Sequence, residues 1–557
     1  MAEFRTCPET GLKVDLAAEK LIKWNAVTSV VFLLVGGLFG LLVALTRWPE
    51  VHLLGADLYY LVLTGHGLDI LLVWVIFFEM VLLYFTSAIL LNARLVAPTL
   101  GWVQYGLMLV GAAITNVAVL QGDSSVMFTS YVPLKAAPHF YLGIILFAVG
   151  ALIGCGIFFA TLVTAKKEKT FEGSMPLVTF GAMVAAIIAV FTIATGAVIL
   201  IPTLLWSAGI IPHIDSLLYK VVWWGMGHSS QQINVSAHIA CWYGIAAILF
   251  GAKPLSEKVS RMAFFLYILF LQLASAHHLL VEPGLSSEYK IFNTSYALYM
   301  AVLGSMIHGL TVPGSVEAAM RKKGYNKGLF EWLRKAPWGN PVFSGMAISV
   351  VTFGFLGGIS GVVIGTEQLN LIMHNTMYVP GHFHTTVGSG TTLAFMAMAY
   401  WAVPTLWQRE LFAPGLAKWA PYLFGLGVSF VGVFQMGAGT LGAPRRHWDM
   451  TLADATIGYD LPAASFLMMG MNGVAALAAS LGGAIFILNM VGTILIGKRK
   501  TAAAAPAPAA PAPAGVSGHG EGVSVPGTFV LAIIFLITFV LYYFVNWKYL
   551  ASVWPLS

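Results

Sequence analysis

Runs of about 20 apolar residues, separated by short polar stretches, recur along almost the whole chain, and each is long enough to cross a bilayer's hydrocarbon core as a helix. The pattern predicts thirteen spans, near residues 24–46, 66–91, 98–120, 139–165, 176–205, 224–251, 261–280, 291–313, 342–365, 378–408, 417–440, 464–497 and 527–547. Loops between them are short and no repeat of 20–50 residues stands out, so the predicted class is all-α, a polytopic transmembrane bundle of about 13 helices. The pattern changes after Lys500. An Ala- and Pro-rich stretch runs to Ala514 and turns Gly- and Ser-containing to about Gly522, a composition that reads as an extended, semi-rigid linker. The organisation expected is a twelve-helix domain over 1–500, a linker over 501–525 and an accessory helix over 526–557.

Composition agrees with a membrane solvent, with 58% hydrophobic and 9% charged residues. A net charge of +6 raises the question of a nucleic-acid partner, but the distribution of the 29 Lys and Arg answers it. With the N-terminus assigned to the cytoplasm, only seven fall on the far side: Arg47, Lys135, Lys220, Lys290, Arg445, Arg446 and Lys548. The other 22 cluster on the cytoplasmic side, as in Lys166-Lys167-Glu168-Lys169, Arg321-Lys322-Lys323 and Lys498-Arg499-Lys500. That is the positive-inside bias, so the partner implied is the lipid bilayer and not nucleic acid. Glu3, Glu9, Asp15 and Glu19 precede the first span, which argues against a secretory signal. Cys7, Cys155 and Cys241 are isolated, which excludes a disulfide framework, a CxxCH haem attachment and a thiolate pair for dinuclear copper. Any such electron-entry site belongs on another chain.

Candidate chemistry lies in the histidines. His382 and His384 are two residues apart, and at about 100° per residue their rings leave a helix on nearly opposite faces, placed to serve two metal centres. A lone pair of this kind is usually structural. Here the predicted topology puts His66, His228, His277, His278, His382 and His384 on four spans at one depth, in the outer third. Intramembrane ionisable groups are costly and mark functional pathways. Six imidazoles match the need of a six-coordinate haem (two), a five-coordinate haem (one) and a further metal (three), and imidazole suits iron and copper alike.

The segments Thr64-Gly-His66-Gly, Gly227-His228, Ala276-His277-His278 with Glu282-Pro-Gly284, His374-Asn375-Thr376-Met-Tyr-Val-Pro-Gly-His-Phe-His384 and Pro444-Arg445-Arg446 resemble the haem-copper oxidase and nitric oxide reductase superfamily. The similarity is to the catalytic subunit I of its B-type branch and runs to about residue 500. It implies the subunit I fold, with His66 and His384 as axial ligands of a low-spin haem and His382 as proximal ligand of a high-spin haem. His228, His277 and His278 would then hold a non-haem metal. Arginines on the cation-poor side need a reason, and guanidinium pairs bidentately with carboxylates; Arg445, Arg446 and, by resemblance, His374 are expected at haem propionates.

One position departs from the oxygen-reducing relatives. Where they carry a tyrosine joined covalently to a metal-ligand His, four residues after the first metal-binding His, this chain has Gln232, which shares a helix face with His228. Cleaving O2 in one step takes four electrons. The two metals supply three and the tyrosine the fourth, which an amide cannot do. Coupling two NO to N2O and water takes two electrons and two protons, which the metals can cover. Well-known NO reductases of the superfamily carry Glu at this offset, whereas Gln232 is neutral, a candidate weak oxygen ligand or a hydrogen-bond donor to bound NO. Gln231 is placed to share that task. Three His without a carboxylate favour copper over iron.

The expected activity is therefore respiratory nitric oxide reduction in a prokaryotic cytoplasmic (inner) membrane, as part of denitrification. The alternatives are a B-type oxygen reductase and a non-catalytic haem electron-transfer or gas-sensing protein. The resemblance implies a subunit II carrying a CuA or haem c domain. Protons need a route, and Ser305, His308 and Thr311 recur at i, i+3 and i+6 as a polar stripe, with Glu317 at its cytoplasmic end and Tyr243 beside it. The bland alternative is hydroxyls bonded back to their own helix. The last helix, without His or carboxylates, reads as structural, either a peripheral helix or a small one-helix subunit fused in cis. Met396 and Met398 read as core packing.

Overall fold

In the computed structural model, residues 3–271, 274–453, 456, 459–500 and 524–553 are described; the proposed linker over 501–525, apart from Ser524 and Val525, and Gln272 and Leu273 lie outside them. The chain opens on a small antiparallel hairpin, β1 (Phe4–Thr6) and β2 (Lys13–Asp15). Asp15 ends the hairpin and starts the bundle, since its carboxylate accepts from Ala18 N at 2.8 Å and so caps α1 (Leu16–Thr46). There follow α2 (Ala56–Ile89), α3 (Pro98–Leu120), α4 (Pro138–Lys167), α5 (Leu177–Ser207) and α6 (Ser216–Phe250). α7 (Glu257–Leu266) continues in a wider turn over Tyr267–Leu271, and a tight 3-10 turn over Ala274–His278 closes that region. Then come α8 (Ser287–Lys322) and α9 (Pro341–Gly365). α10 runs in three joined stretches, Tyr378–Phe383, His384–Thr392 and Leu393–Trp407. The last three are α11 (Ala420–Thr440), α12 (Ala463–Ile496) and α13 (Pro526–Val553).

Eleven of these are, among the described residues, continuous, long and apolar enough to cross a membrane. The other two correspond to the spans predicted at 261–280 and 378–408, and both depart from regular helix. Each carries ligand-type histidines, and the middle of α10 is π-helical over His-Thr-Thr-Val-Gly-Ser-Gly-Thr-Thr, a distortion that recurs at functional sites. Boundaries moved as well. α2 starts at Ala56 rather than at His66, and α6 at Ser216 rather than near 224, because apolarity cannot see helix that continues through polar and aromatic residues at a membrane surface. His66 and His228 accordingly sit several turns inside their helices.

Small residues bring the helices close. A Cβ on Gly111 of α3 would stand 2.5 Å from the Gly143 carbonyl of α4, so only glycine permits that crossing. The outward faces carry exposed large apolar side chains such as Leu38, Val117, Phe191, Val198 and Leu481, which suits contact with lipid chains. Met396 and Met398 are buried in the main apolar cluster, as expected of packing residues. α13 lies at the periphery against α8 and α9, where Phe535 meets Phe355 edge-on at 5.0 Å and Tyr542 shares a 2.8 Å hydrogen bond with Tyr378 of α10.

Candidate active site

A cavity of about 660 Å3 runs through the bundle and is lined by all six predicted histidines together with Gln231, Gln232, Arg445 and Arg446. At one end His66 of α2 and His384 of α10 face each other, with ring centroids 6.2 Å apart and planes within 15°. Each imidazole has its Nδ1 occupied by a backbone carbonyl, His66 by Gly36 O at 2.8 Å and His384 by Pro380 O at 2.7 Å. A carbonyl can only accept, so both rings carry their proton on Nδ1 and offer the Nε2 lone pair inward. The spacing fits one metal between them at about 2 Å from each nitrogen. The helices reach this geometry because Gly40 faces His66, where a Cβ would stand 2.6 Å from the ring.

His382 leaves the opposite side of α10, as the two-residue spacing predicts. Its Nδ1 lies 2.9 Å from Ser360 Oγ on α9. That hydroxyl donates back to Leu356 O, so it accepts from His382 and again frees Nε2 toward the cavity.

Across from His382, His228, His277 and His278 form the triad, with one ligand nitrogen from each lying within 4.8 Å of the others. His228 Nδ1 and His278 Nε2 are 3.2 Å apart, a separation suited to two nitrogens sharing a metal at about 2 Å each. His277 Nδ1 is buried with no hydrogen-bond partner among the described residues, the kind of orphan a metal satisfies. Trp224, one turn before His228, stacks flat on His278 at 3.6 Å and 5°, fixing that ring's plane. Its Nε1 donates to Tyr131 Oη at 2.6 Å. Sequence reasoning passed over Trp224, although the i, i+4 spacing to His228 was there to be read.

Gln232 is buried, and its amide nitrogen position lies 3.0 Å from His228 Nε2, the ring atom turned away from the triad. No tyrosine hydroxyl among the described residues contacts any of the three rings.

The arginine pair sits on the same side as the histidines. Arg445 lies over the Phe383 ring at 5.8 Å and Arg446 over Tyr131 at 4.9 Å, with Arg446 Nη2 donating to Thr129 Oγ1 at 3.2 Å. Among the described residues neither forms an ion pair with a carboxylate, which suits both guanidiniums to an anion. Arg47 holds their loop, its guanidinium donating to Arg445 O at 2.8 Å and Pro444 O at 2.6 Å. A lone buried arginine on the cation-poor side was the unused signal. His374 precedes α10 in the same neighbourhood, and burial, with Arg445 adding to it, pushes its ring down to about 4. Lys220 pairs with Glu282 at 2.8 Å, tying the start of α6 to the loop after the histidine pair.

The polar stripe divides. Tyr243 Oη bonds His308 Nδ1 at 3.0 Å and Ser260 Oγ at 3.0 Å, and Ser305, which lines the cavity, meets Tyr267 Oη at 3.0 Å. Ser260 and Tyr267, on the α7 segment, were missing from the sequence reading because they belong to another helix. Thr311 bonds back to Ile307 O at 2.7 Å. Glu317 is fully buried and is not an open mouth. It accepts from Arg321 Nε at 2.7 Å and from Gly527 N, Thr528 N and Thr528 Oγ1 at 3.0, 2.6 and 2.7 Å, in the first turn of α13.

Comparison with known proteins bears on this constellation. The family described as "Cytochrome C and Quinol oxidase polypeptide I" matches residues 20–481. The chain belongs to the haem-copper oxidase subunit I family. It is 30% identical over 492 residues to cytochrome c oxidase subunit 1 of Thermus thermophilus (85% of this chain, 84% of the relative). It is 23% identical over 486 residues to quinol oxidase subunit 1 of Bacillus subtilis (80% and 70%). Among solved structures it resembles a heme-copper terminal oxidase dimer with a TM-score of 0.82 at 25% identity, covering 95% of this chain and 92% of the other. Haem-copper oxidase subunit I proteins are multi-pass membrane oxidoreductases of respiratory electron transport that bind haems and a copper centre. The donor set described above fits those groups, since each imidazole lines the cavity and none is held by a carboxylate among the described residues.

Proposed function

We propose that this haem-copper oxidase subunit I is the catalytic subunit of a nitric oxide reductase, which converts two NO to N2O and water. The observation that carries the reading is the amide of Gln232 at 3.0 Å from His228 Nε2, in the place a redox-active phenol would need. His66 and His384 would hold the low-spin haem, His382 the high-spin haem, and His228, His277 and His278 the second metal. With no carboxylate in that triad, copper is favoured over iron. When bound, these groups supply two electrons to the paired NO molecules.

The chain's own residues do the rest. A His228 that gives Nδ1 to a metal carries its proton on Nε2, so the Gln232 amide presents its oxygen there and turns its NH2 to the cavity as a donor toward an N–O oxygen. Gln232 thus fixes the tautomer of His228 while remaining unable to give an electron. Arg445 and Arg446 would neutralise haem propionates. Tyr243, His308, Ser305 and Thr311, with Ser260 and Tyr267 beside them, supply a polar route for protons from the cytoplasmic side. The enzyme would lie in a prokaryotic cytoplasmic membrane with its N-terminus inside and take electrons from a subunit II with a CuA or haem c domain.

The relatives' names, cytochrome c oxidase and quinol oxidase, favour a second reading, reduction of O2 to water, in which another group supplies the fourth electron. The Gln232→Tyr variant separates the two. On the NO reading, the wild-type complex evolves N2O from NO under reducing, anaerobic conditions, and Gln232→Tyr lowers that rate at least about tenfold, a loss of about 1.4 kcal/mol of transition-state stabilisation. Unchanged N2O formation by the tyrosine variant would sink the role given to the amide.

A further inference from the structure

Two carboxylates lie inside the membrane-spanning part of α2, and neither has a place in the chemistry above. Asp69 is tied to Asn116 of α3, its Oδ1 accepting at 2.8 Å. Glu79 is the more informative. It is 5% exposed and has no Lys, Arg or His partner among the described residues. The ionisable groups that interact with it are the buried thiols of Cys155 on α4 and Cys241 on α6; α1 and α5, also packed on this part of α2, bring none. What faces it from α6 is an amide. With the Asn234 side chain turned so that its nitrogen meets the carboxylate, Nδ2 donates to Glu79 Oε1 at 2.8 Å and to Ser230 O at 3.2 Å. With Asn234 so turned, its 3.5 Å contact with Gln231 Oε1 is oxygen to oxygen and becomes a hydrogen bond only when the Gln231 amide is turned to present its nitrogen; Gln231 lines the cavity one residue before Gln232.

We propose that Glu79 is a proton-holding residue for the reaction, connected to the gas-reducing cavity through Asn234 and Gln231. An unpaired carboxylate charge at this depth is costly, whereas the neutral acid with one amide donor is not. Holding the acid form makes Glu79 a store one side chain removed from the cavity wall. In turnover its O–H bond breaks, the electron pair stays on the carboxylate, and the proton ends on the oxygen that leaves as water. Solvent protons refill the group between turnovers.

The inference rests on the reading of the cavity as a site of gas reduction, but it applies to NO and O2 alike because both reactions end in water. The test compares Glu79→Gln and Glu79→Asp in the intact complex, after haem and metal content are shown to match wild type. Turnover is measured with NO and with O2. Infrared difference spectra between oxidised and reduced enzyme follow the carbonyl stretch of a protonated carboxyl group. Glu79→Gln should lose that band and at least about tenfold in turnover on whichever gas wild type reduces; Glu79→Asp should keep a shifted band and recover much of the rate. Gln satisfies a purely structural hydrogen bond to Asn234, so full activity in Glu79→Gln, or a band unaffected by it, overturns the proposal. Should Glu79→Gln lose haem, Asn234→Ala is read instead, where unchanged proton uptake in a single turnover overturns it. A wild type that consumes O2 and not NO removes the reductase reading and leaves the Glu79 test standing on O2.

Discussion

At position 232 an amide and a phenol differ in what they can give up. Both can hydrogen-bond to the imidazole beside them, but only the phenol can part with an electron. The contact in the structure is to His228 Nε2, so replacing Gln232 with Leu leaves a buried N–H without an acceptor, at a cost of about 1–3 kcal/mol. Removing such a partner from a ligand imidazole typically weakens metal binding about 10–100-fold. Gln232→Leu is therefore expected to lose the non-haem metal first, with both haems retained, as read by metal analysis beside the optical spectrum. His374 offers a pH test of its own. Its ring is held down to about 4, so the folded protein refuses a proton that the unfolded imidazole takes up below about 6.5. Stability is then lost as pH falls between those values, and His374→Gln should unfold at a temperature less sensitive to pH across that window. An equal pH slope in the variant would contradict this account of His374. Residue types were the most legible part of the site: six imidazoles and a neutral 232 stand in the sequence. Ser360, Arg47 and Trp224 were not foreseen, because what they do depends on which helix meets which.

Among the elements, the apolar pattern located every span but misplaced ends and missed breaks. The start of α2 was read at His66, yet the helix extends back to Ala56 through Asp57, Tyr59 and Tyr60, which hydropathy counts as surface. In α10 a run of Thr, Ser and Gly relaxes into π geometry next to the two histidines, a distortion that a period of 3.6 does not report. The most consequential element is α13, since Glu317, expected at the end of a proton route, serves instead as an acceptor for the unsatisfied N–H groups of that helix's first turn. Cutting the chain within the Ala- and Pro-rich 501–522 stretch should leave α13 bound to the wild-type bundle during gel filtration in detergent. In Glu317→Gln the same cut should release it, because the amide accepts less strongly and loses its ion pair with Arg321. Retention of α13 in the variant would mean that contacts such as Phe355 with Phe535 hold the helix by themselves.

For the molecule as a whole, helix order gathers histidines from four separated stretches of sequence around one cavity, within a chain that matches the subunit I family over residues 20–481. Membrane class and the histidine inventory follow from the sequence because lipid and metal each impose a simple rule on residue type. The substrate does not follow from either rule. It turns on the electron inventory of the cavity, where no tyrosine hydroxyl among the described residues contacts the three clustered imidazoles, while relatives of the same fold carry the names of oxidases. The direct test is parallel turnover of the purified, reduced complex with each gas, N2O being measured in the gas phase and O2 by uptake under matched conditions. The account predicts sustained N2O formation from NO and slow O2 consumption. Rapid O2 uptake with NO left untouched would contradict it.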